Sequence, residues 1–176
     1  MRHGRRPVES LYEQLQLMLA RATTSASGSL KESELAAWRG MLRVYAAVYR
    51  DLDAELHAAH DLPLSSYEVL LALDEAPESE LRMSDLADHV LLSRSGLTRL
   101  ADRLEREGLI ERRPCPTDAR GSFASLTEEG ARRFKAARKT HLAGVRGRFL
   151  DCFEEHELGT LAGYWERLLP GAASSD

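Results

Sequence analysis

The feature that most constrains this chain is the run from Ser84 to Gly108, where two short helical patterns are separated only by a pair of leucines. Ser84 is the expected cap of DLADHV, whose Leu86, Ala87 and Val90 share an inward face. Leu91 and Leu92 make the turn, and Ser93 caps the next helix, RSGLTRLADRLEREG, which Gly108 ends. LIERRP (109–114) and SFASLT (122–127) follow as short strand patterns flanking a loop rich in Pro, Asp and Gly. Two short helices, a tight turn and a two-stranded hairpin make a winged helix-turn-helix arrangement.

The second short helix has two chemically different faces. At about 100° per residue, Leu97, Leu100, Ala101 and Leu104 cluster on one side. Ser95, Arg99, Asp102 and Arg106 lie opposite, flanked by Thr98 and Arg103. A guanidinium can grip guanine O6 and N7 in bidentate fashion, and Ser or Thr can bond to bases or phosphates. Ser93, Arg94, Ser95, Thr98 and Arg99 occupy the N-terminal part, where reading helices meet base edges. The bland alternative is a solvated charged face, and Asp102 beside three arginines supports it. Position favours DNA, because this face follows a tight turn and precedes an arginine-tipped hairpin.

Charge distribution points the same way. The whole chain carries −4, which alone argues against a nucleic-acid partner. From Ser93 to Arg120, however, seven arginines face five acids, leaving that segment at +2.

The rest of the chain reads as helical. Val8, Leu11, Leu15 and Met18 predict a short amphipathic helix over 8–22, followed by the small-polar linker TTSASGS. Leu35, Trp38, Leu42, Tyr45, Tyr49, Leu52 and Leu56 form one stripe of a long helix from Ser33 to about Ala59. In LPLSSYEVLLALDEAP, Ser65 with Glu68 predicts a capping box, Leu64 with Val69 a hydrophobic staple, and Pro77 the stop. Thr127 caps a further long helix with Ala131, Phe134, Leu142, Val145 and Phe149 inward. A last helix over about Glu155 to Leu169 aligns Leu158, Leu161, Trp165 and Leu168. The expected fold class is mainly α with a small β-hairpin. An N-terminal extension (1–32) precedes a helical dimerisation layer (33–62 and 128–176) built around a winged helix-turn-helix domain (63–127).

Several function classes find no support. No run approaches the roughly 18 apolar residues of a membrane span, and no apolar region follows the basic MRHGRRPVES, so neither a membrane partner nor a secretory signal is expected. Cys115 and Cys152 form no framework, which suits a reducing, cytoplasmic location. The motifs of phosphate loops, dinucleotide sites, serine hydrolases and zinc proteases are missing, so neither catalysis nor a cofactor is expected.

The pieces SDLADHVLLSRSGLTRLADRLEREGLIERR and TDARGSFASLTEEG resemble the MarR (multiple antibiotic resistance regulator) family of dimeric winged-helix transcription factors. Asp118-x-Arg120 followed by Leu126-Thr127-x-x-Gly130 is the most specific match, and the likeness extends over about 33–169. It implies a homodimer on double-stranded DNA, at a pseudo-palindromic promoter site, acting as a repressor that a small aromatic or anionic ligand releases. It also implies a recognition helix at Ser93 to Glu107, a wing arginine at Arg120 and a structural wing acid at Asp118. A hairpin tip can place an arginine in the minor groove, while Arg112 and Arg113 would hold phosphates. Residues 1–22 depart from the minimal family pattern.

Three other constellations remain. Trp38, Tyr45, Tyr49, His57 and Tyr67 are candidates to line a ligand cleft, with core packing as the alternative. Asp53, His57 and His60 share a helix face at a spacing that suits zinc, although a polar helix end explains them as well. Cys115, between two prolines and near Arg112 and Arg113, is a candidate reactive thiol or an inert loop residue. Metal gating, thiol gating and a protein-docking winged helix that ignores DNA are therefore the rival readings.

Overall fold

The computed structural model describes residues 30–90, 92–115 and 118–173, with the backbone alone described at 118–120. The expected helix over 8–22, its linker and the turn residue Leu91 lie outside the described residues. In chain order the elements are α1 (Glu32–His60), α2 (Leu64–Glu75), β1 (Glu80–Arg82), α3 (Met83–His89), α4 (Arg94–Arg106), β2 (Ile110–Cys115), β3 (Asp118–Leu126), α5 (Glu128–Arg148) and α6 (Glu155–Leu168). Single 3-10 turns at Pro77–Ser79 and Leu150–Cys152 join α2 to β1 and α5 to α6. This is the mainly helical winged-helix architecture that the sequence pattern predicts.

Two compact units divide the chain at Asp51/Leu52. In the first, Trp38, Met41, Val44 and Tyr45 of α1 are all exposed, and Tyr45 packs against Tyr49 with ring centroids 5.9 Å apart.

The second unit holds the core. Tyr67, Val69, Leu70 and Leu73 of α2, together with Leu86, Leu97, Leu104, Ile110 and Phe134, are all at most 2% exposed. A fully buried leucine contributes about 2 kcal/mol. The inner faces of the short helices therefore anchor them and leave their outer faces free for other chemistry.

Two expected caps do not form. Pro63 occupies the N-cap of α2, and no side chain caps the helix from within it. The Leu64 N–H is instead donated to the Asp53 carboxylate across the α1–α2 corner, at 2.8 Å. Glu68, the intended partner of Ser65, is half-buried, and burial followed by the nearby Asp53 charge pushes its carboxyl up to about 7. Arg82, not Ser84, sits at the N-cap of α3, and Ser84 bonds to its neighbour Asp85. The caps at Ser93 and Thr127 do form, through Gly96 N (3.2 Å) and Gly130 N (2.9 Å).

The hairpin is part of a three-stranded antiparallel sheet in the order β1-β3-β2. β1 is not legible in the sequence, because its three residues are too few for an alternating pattern to register. Pro114 is tolerated because β2 is an edge strand, and a register shift follows it before Cys115. Thr127 and Gly130 lock the sheet to α5. The Thr127 hydroxyl lies 2.8 Å from Gly108 O and 3.0 Å from Leu109 O. A Cβ on Gly130 would lie 2.0 Å from that same Leu109 O, so the strand approaches α5 at a distance only glycine permits.

The helices of this unit also meet closely elsewhere. Arg133 donates to His60 O at the end of α1 (2.9 Å), and His60 Nε2 lies 2.8 Å from Thr140 Oγ1. A Cβ on Gly144 would come within 2.6 Å of Leu52 and Glu55 side-chain atoms, and Glu55 pairs with Arg148. Leu142, expected to point inward, is 53% exposed. It lies one residue past His141, whose ring stacks on Tyr67 at 4.4 Å, so the inward face falls one position earlier. Glu154 and Glu157 form a reciprocal capping box that starts α6, which leaves Tyr164, Trp165, Leu168 and Leu169 exposed.

Candidate nucleic-acid interface

The outward face of α4 is built by subtraction. Leu97, Leu100, Ala101 and Leu104 are buried, which commits the helix to a single orientation. Ser93, Arg94, Ser95, Thr98, Arg99 and Arg106 are left exposed. Arg94 and Arg99 have no carboxylate partner among the described residues. Ser95 Oγ lies 3.3 Å from the capping Ser93 hydroxyl, Thr98 Oγ1 donates back to Arg94 O (3.0 Å), and Arg106 Nε donates to Asp102 O (3.1 Å). The face thus offers exposed guanidinium groups in its first two turns, beside hydroxyls held by the helix itself.

Two arginines expected at this face have internal partners. Arg103 is half-buried, and its Nη2 donates to the buried Ser66 hydroxyl on α2 at 2.5 Å. Its Nε lies 3.7 Å from Glu107. Arg112, on β2, donates through Nε and Nη2 to Glu105 Oε2 at 2.9 and 2.6 Å, and through Nη2 to Asp102 at 2.7 Å. The Arg112 backbone N–H also donates to Glu105, at 3.2 Å. Asp102 and Glu105 therefore join α4 to the hairpin. This accounts for Asp102, the charge that spoke against a DNA-facing surface.

The outer face of the sheet carries a second charged group. Arg113 is exposed and donates from Nε and Nη2 to both Glu80 oxygens, at 2.7 and 2.6 Å. That hydrogen bonding holds the Glu80 carboxyl below its ordinary range. Arg82 and Arg113 are the cross-strand partners of Phe123 on either side, and their guanidinium carbons lie 5.2 and 5.3 Å from its ring centroid. Glu80, Arg82, Phe123 and Ser66 carry no periodicity or motif that marks them in the sequence. The only signal was the arginine directly before a short helix. Asp118 and Arg120 stand on β3, with Asp118 paired to Cys115, but their side chains lie outside the described residues.

The remaining candidates are scattered. Cys115 is the last residue of β2, not a loop residue, and it is buried, whereas Cys152 is exposed; no disulfide joins the two. Tyr67, expected at a cleft, is 2% exposed and packs on Phe134 and His141. Trp38 and Tyr45 are exposed on α1, and His57 is exposed 3.6 Å from Asp61. Asp53 and His60 have the separate partners given above, and the described residues hold no group of three or more metal-ligating side chains. An open cleft of about 640 Å³ lies instead along Glu55, Lys139, Thr140, Ala143, Gly144 and Arg148. No helix among the described residues is long and apolar enough to cross a membrane.

Comparison with known proteins places this geometry. The MarR family pattern matches residues 60–121, from the α1–α2 corner into the hairpin. AbsC, a MarR family transcriptional regulator from Streptomyces coelicolor, is 32% identical, with a TM-score of 0.75 over 81% of this chain and 95% of its own. Sco3205, a MarR family regulator from the same organism solved in complex with DNA, is 31% identical with a TM-score of 0.75, covering 85% of this chain and 96% of its own. The transcriptional regulator MhqR of Bacillus subtilis is 29% identical over 101 residues, 57% of this chain and 68% of its own.

Proposed function

The chain belongs to the MarR family of DNA-binding transcriptional regulators, and we propose that it works within that family as a homodimeric repressor of a pseudo-palindromic promoter site. Its relatives are regulators, not enzymes. The observation that carries the reading is the outer face of α4, where Arg94 and Arg99 stand exposed beside Ser93, Ser95 and Thr98, with no carboxylate partner among the described residues. In this reading those groups meet base edges and phosphates in the major groove. Arg106 and Arg113 lie at the margin of that surface. Arg120 probes the minor groove from the hairpin tip, with Asp118 orienting it. Arg103 and Arg112 act at one remove, by fixing α4 against α2 and the hairpin against α4.

The dimer in this reading is closed by helical arms, α1 with α5 and α6. The exposed Trp38, Met41, Val44 and Tyr45, and separately Tyr164, Trp165, Leu168 and Leu169, supply the apolar surface that a second copy would cover. Two reading helices then enter successive major grooves about 34 Å apart. A small aromatic or anionic ligand releases the site by binding more tightly to the dimer spacing that does not fit DNA.

Binding of a random-sequence duplex at increasing salt tests the DNA reading. A chain that uses several phosphate contacts loses affinity steeply as salt rises. A chain that binds no duplex even at low salt is a protein-docking winged helix instead.

A further inference from the structure

The row Arg82–Phe123–Arg113 runs straight across the sheet, one residue from each strand. We propose that Arg82 is a DNA phosphate contact, and that Phe123 is the platform that holds its guanidinium in place. This extends the DNA interface from α4 and the hairpin tip onto β1, and it rests on the DNA-binding reading above.

Three observations carry the inference. First, the register makes Arg82 and Arg113 the two neighbours of Phe123, and both guanidinium groups stack on its ring, at 5.2 and 5.3 Å. An arginine stacked on an aromatic face gives up much of its rotamer freedom before any ligand arrives. Second, the two cations are not equivalent. Arg113 is neutralised by a bidentate pair with Glu80, whereas Arg82 has no carboxylate partner among the described residues. Arg82 is therefore the uncompensated charge of the row. Third, Arg82 is the residue immediately before α3, the first helix of the helix-turn-helix pair. In such pairs the second helix enters the groove while the first crosses the DNA backbone. A guanidinium at that point meets phosphate oxygens and not base edges, and it adds affinity without sequence preference.

Glu80 has a defined part in this arrangement. By holding Arg113 it keeps two adjacent guanidinium groups from repelling one another across one ring. It also leaves a single net positive charge on the row.

The test is a salt series on a labelled random-sequence duplex with the full chain and three variants. Arg82→Ala is expected to flatten the slope of log K against log salt by about 0.9, the share of one phosphate, and to weaken random and selected duplexes by the same factor. Arg82→Lys is expected to keep the slope. Phe123→Leu retains the charge but loses the platform, so its slope stays near that of the parent chain while its affinity falls. Thermal midpoints of all three variants are followed alongside, and that of Arg82→Ala is expected to be unchanged. An unaltered slope and affinity for Arg82→Ala overturns the proposal. A Phe123→Leu variant that binds like the parent overturns the platform role. If the parent chain itself binds no duplex, it is the DNA-binding reading that fails.

Discussion

Asp102 on α4 and Arg112 on the hairpin are held 2.7 Å apart, and Glu105 grips the same guanidinium at 2.6 Å. The ion triad crosses from α4 to β2 and is about a quarter exposed at Arg112. It ties the two parts of a winged helix that must meet DNA in a fixed relation.

The triad gives opposite signs to two simple expectations. A carboxylate that merely faced solvent near DNA would repel phosphate, and Asp102→Asn would tighten binding. Because Asp102 positions the hairpin, Asp102→Asn is expected to weaken binding several-fold. Arg112→Ala should weaken it further yet leave the salt slope unchanged, since its charge is spent inside the protein. A slope reduced by about one would assign Arg112 to a phosphate instead. Duplex titrations at four or five salt concentrations separate the two.

The contact between Gly130 and Leu109 O predicts a steep steric penalty. A Cβ there would sit 2.0 Å from a backbone oxygen, which no rotamer change relieves. Gly130→Ala is expected to cost about 3 kcal/mol in denaturant unfolding. Gly147→Ala, on the same helix with nothing within 4 Å, should be neutral or stabilising by roughly 0.5 kcal/mol.

Glu68 makes stability depend on pH. Its folded-state carboxyl is raised to about 7 from 4.5, so the native state holds its proton more firmly than the unfolded chain. Well below pH 4.5 both states are protonated and the residue contributes nothing to the pH dependence. As pH rises from there towards 7, the unfolded state ionises first and stability falls. Glu68→Gln should therefore raise stability at pH 8 by about 3 kcal/mol, and by less than half of that at pH 5. Thermal unfolding at the two pH values measures the difference, and an equal gain at both would assign the effect to packing.

The winged helix-turn-helix was legible because its signals are local. Leucines at helical spacing, Ser93 and Thr127 as caps, and Gly108 as a stop all act within four residues of their partners. The failures share the opposite property. The Ser65–Glu68 box was displaced by Asp53, which reaches Leu64 N across a corner of the chain. The partner of Arg103 is Ser66, thirty-seven residues away, and that of Arg113 is Glu80, thirty-three away. Helical periodicity could mark the arginines of α4 as outward but not show which ones a neighbouring element had claimed. At Leu142 the pattern was off by one position, because His141 takes the place against Tyr67.

The exposed apolar residues of α6 predict an oligomeric chain. Leu168 is 72% exposed and Leu169 66%, at the end of a helix that also exposes Trp165. Leu168→Glu is expected to shift the chain from dimer to monomer in sedimentation velocity and to weaken operator binding with it. A parent chain that sediments as a monomer at micromolar concentration would remove the dimeric arms from the account.

The central claim is that α4 reads DNA sequence, and selection from a random duplex pool by the parent chain and by Arg99→Ala tests it most directly. The parent should enrich an inverted repeat whose half-sites lie about 10 bp apart. Arg99→Ala should enrich the same repeat with preference lost at one symmetric pair of positions. Identical base preferences from the two proteins, or enrichment of no repeat at all, would contradict the account.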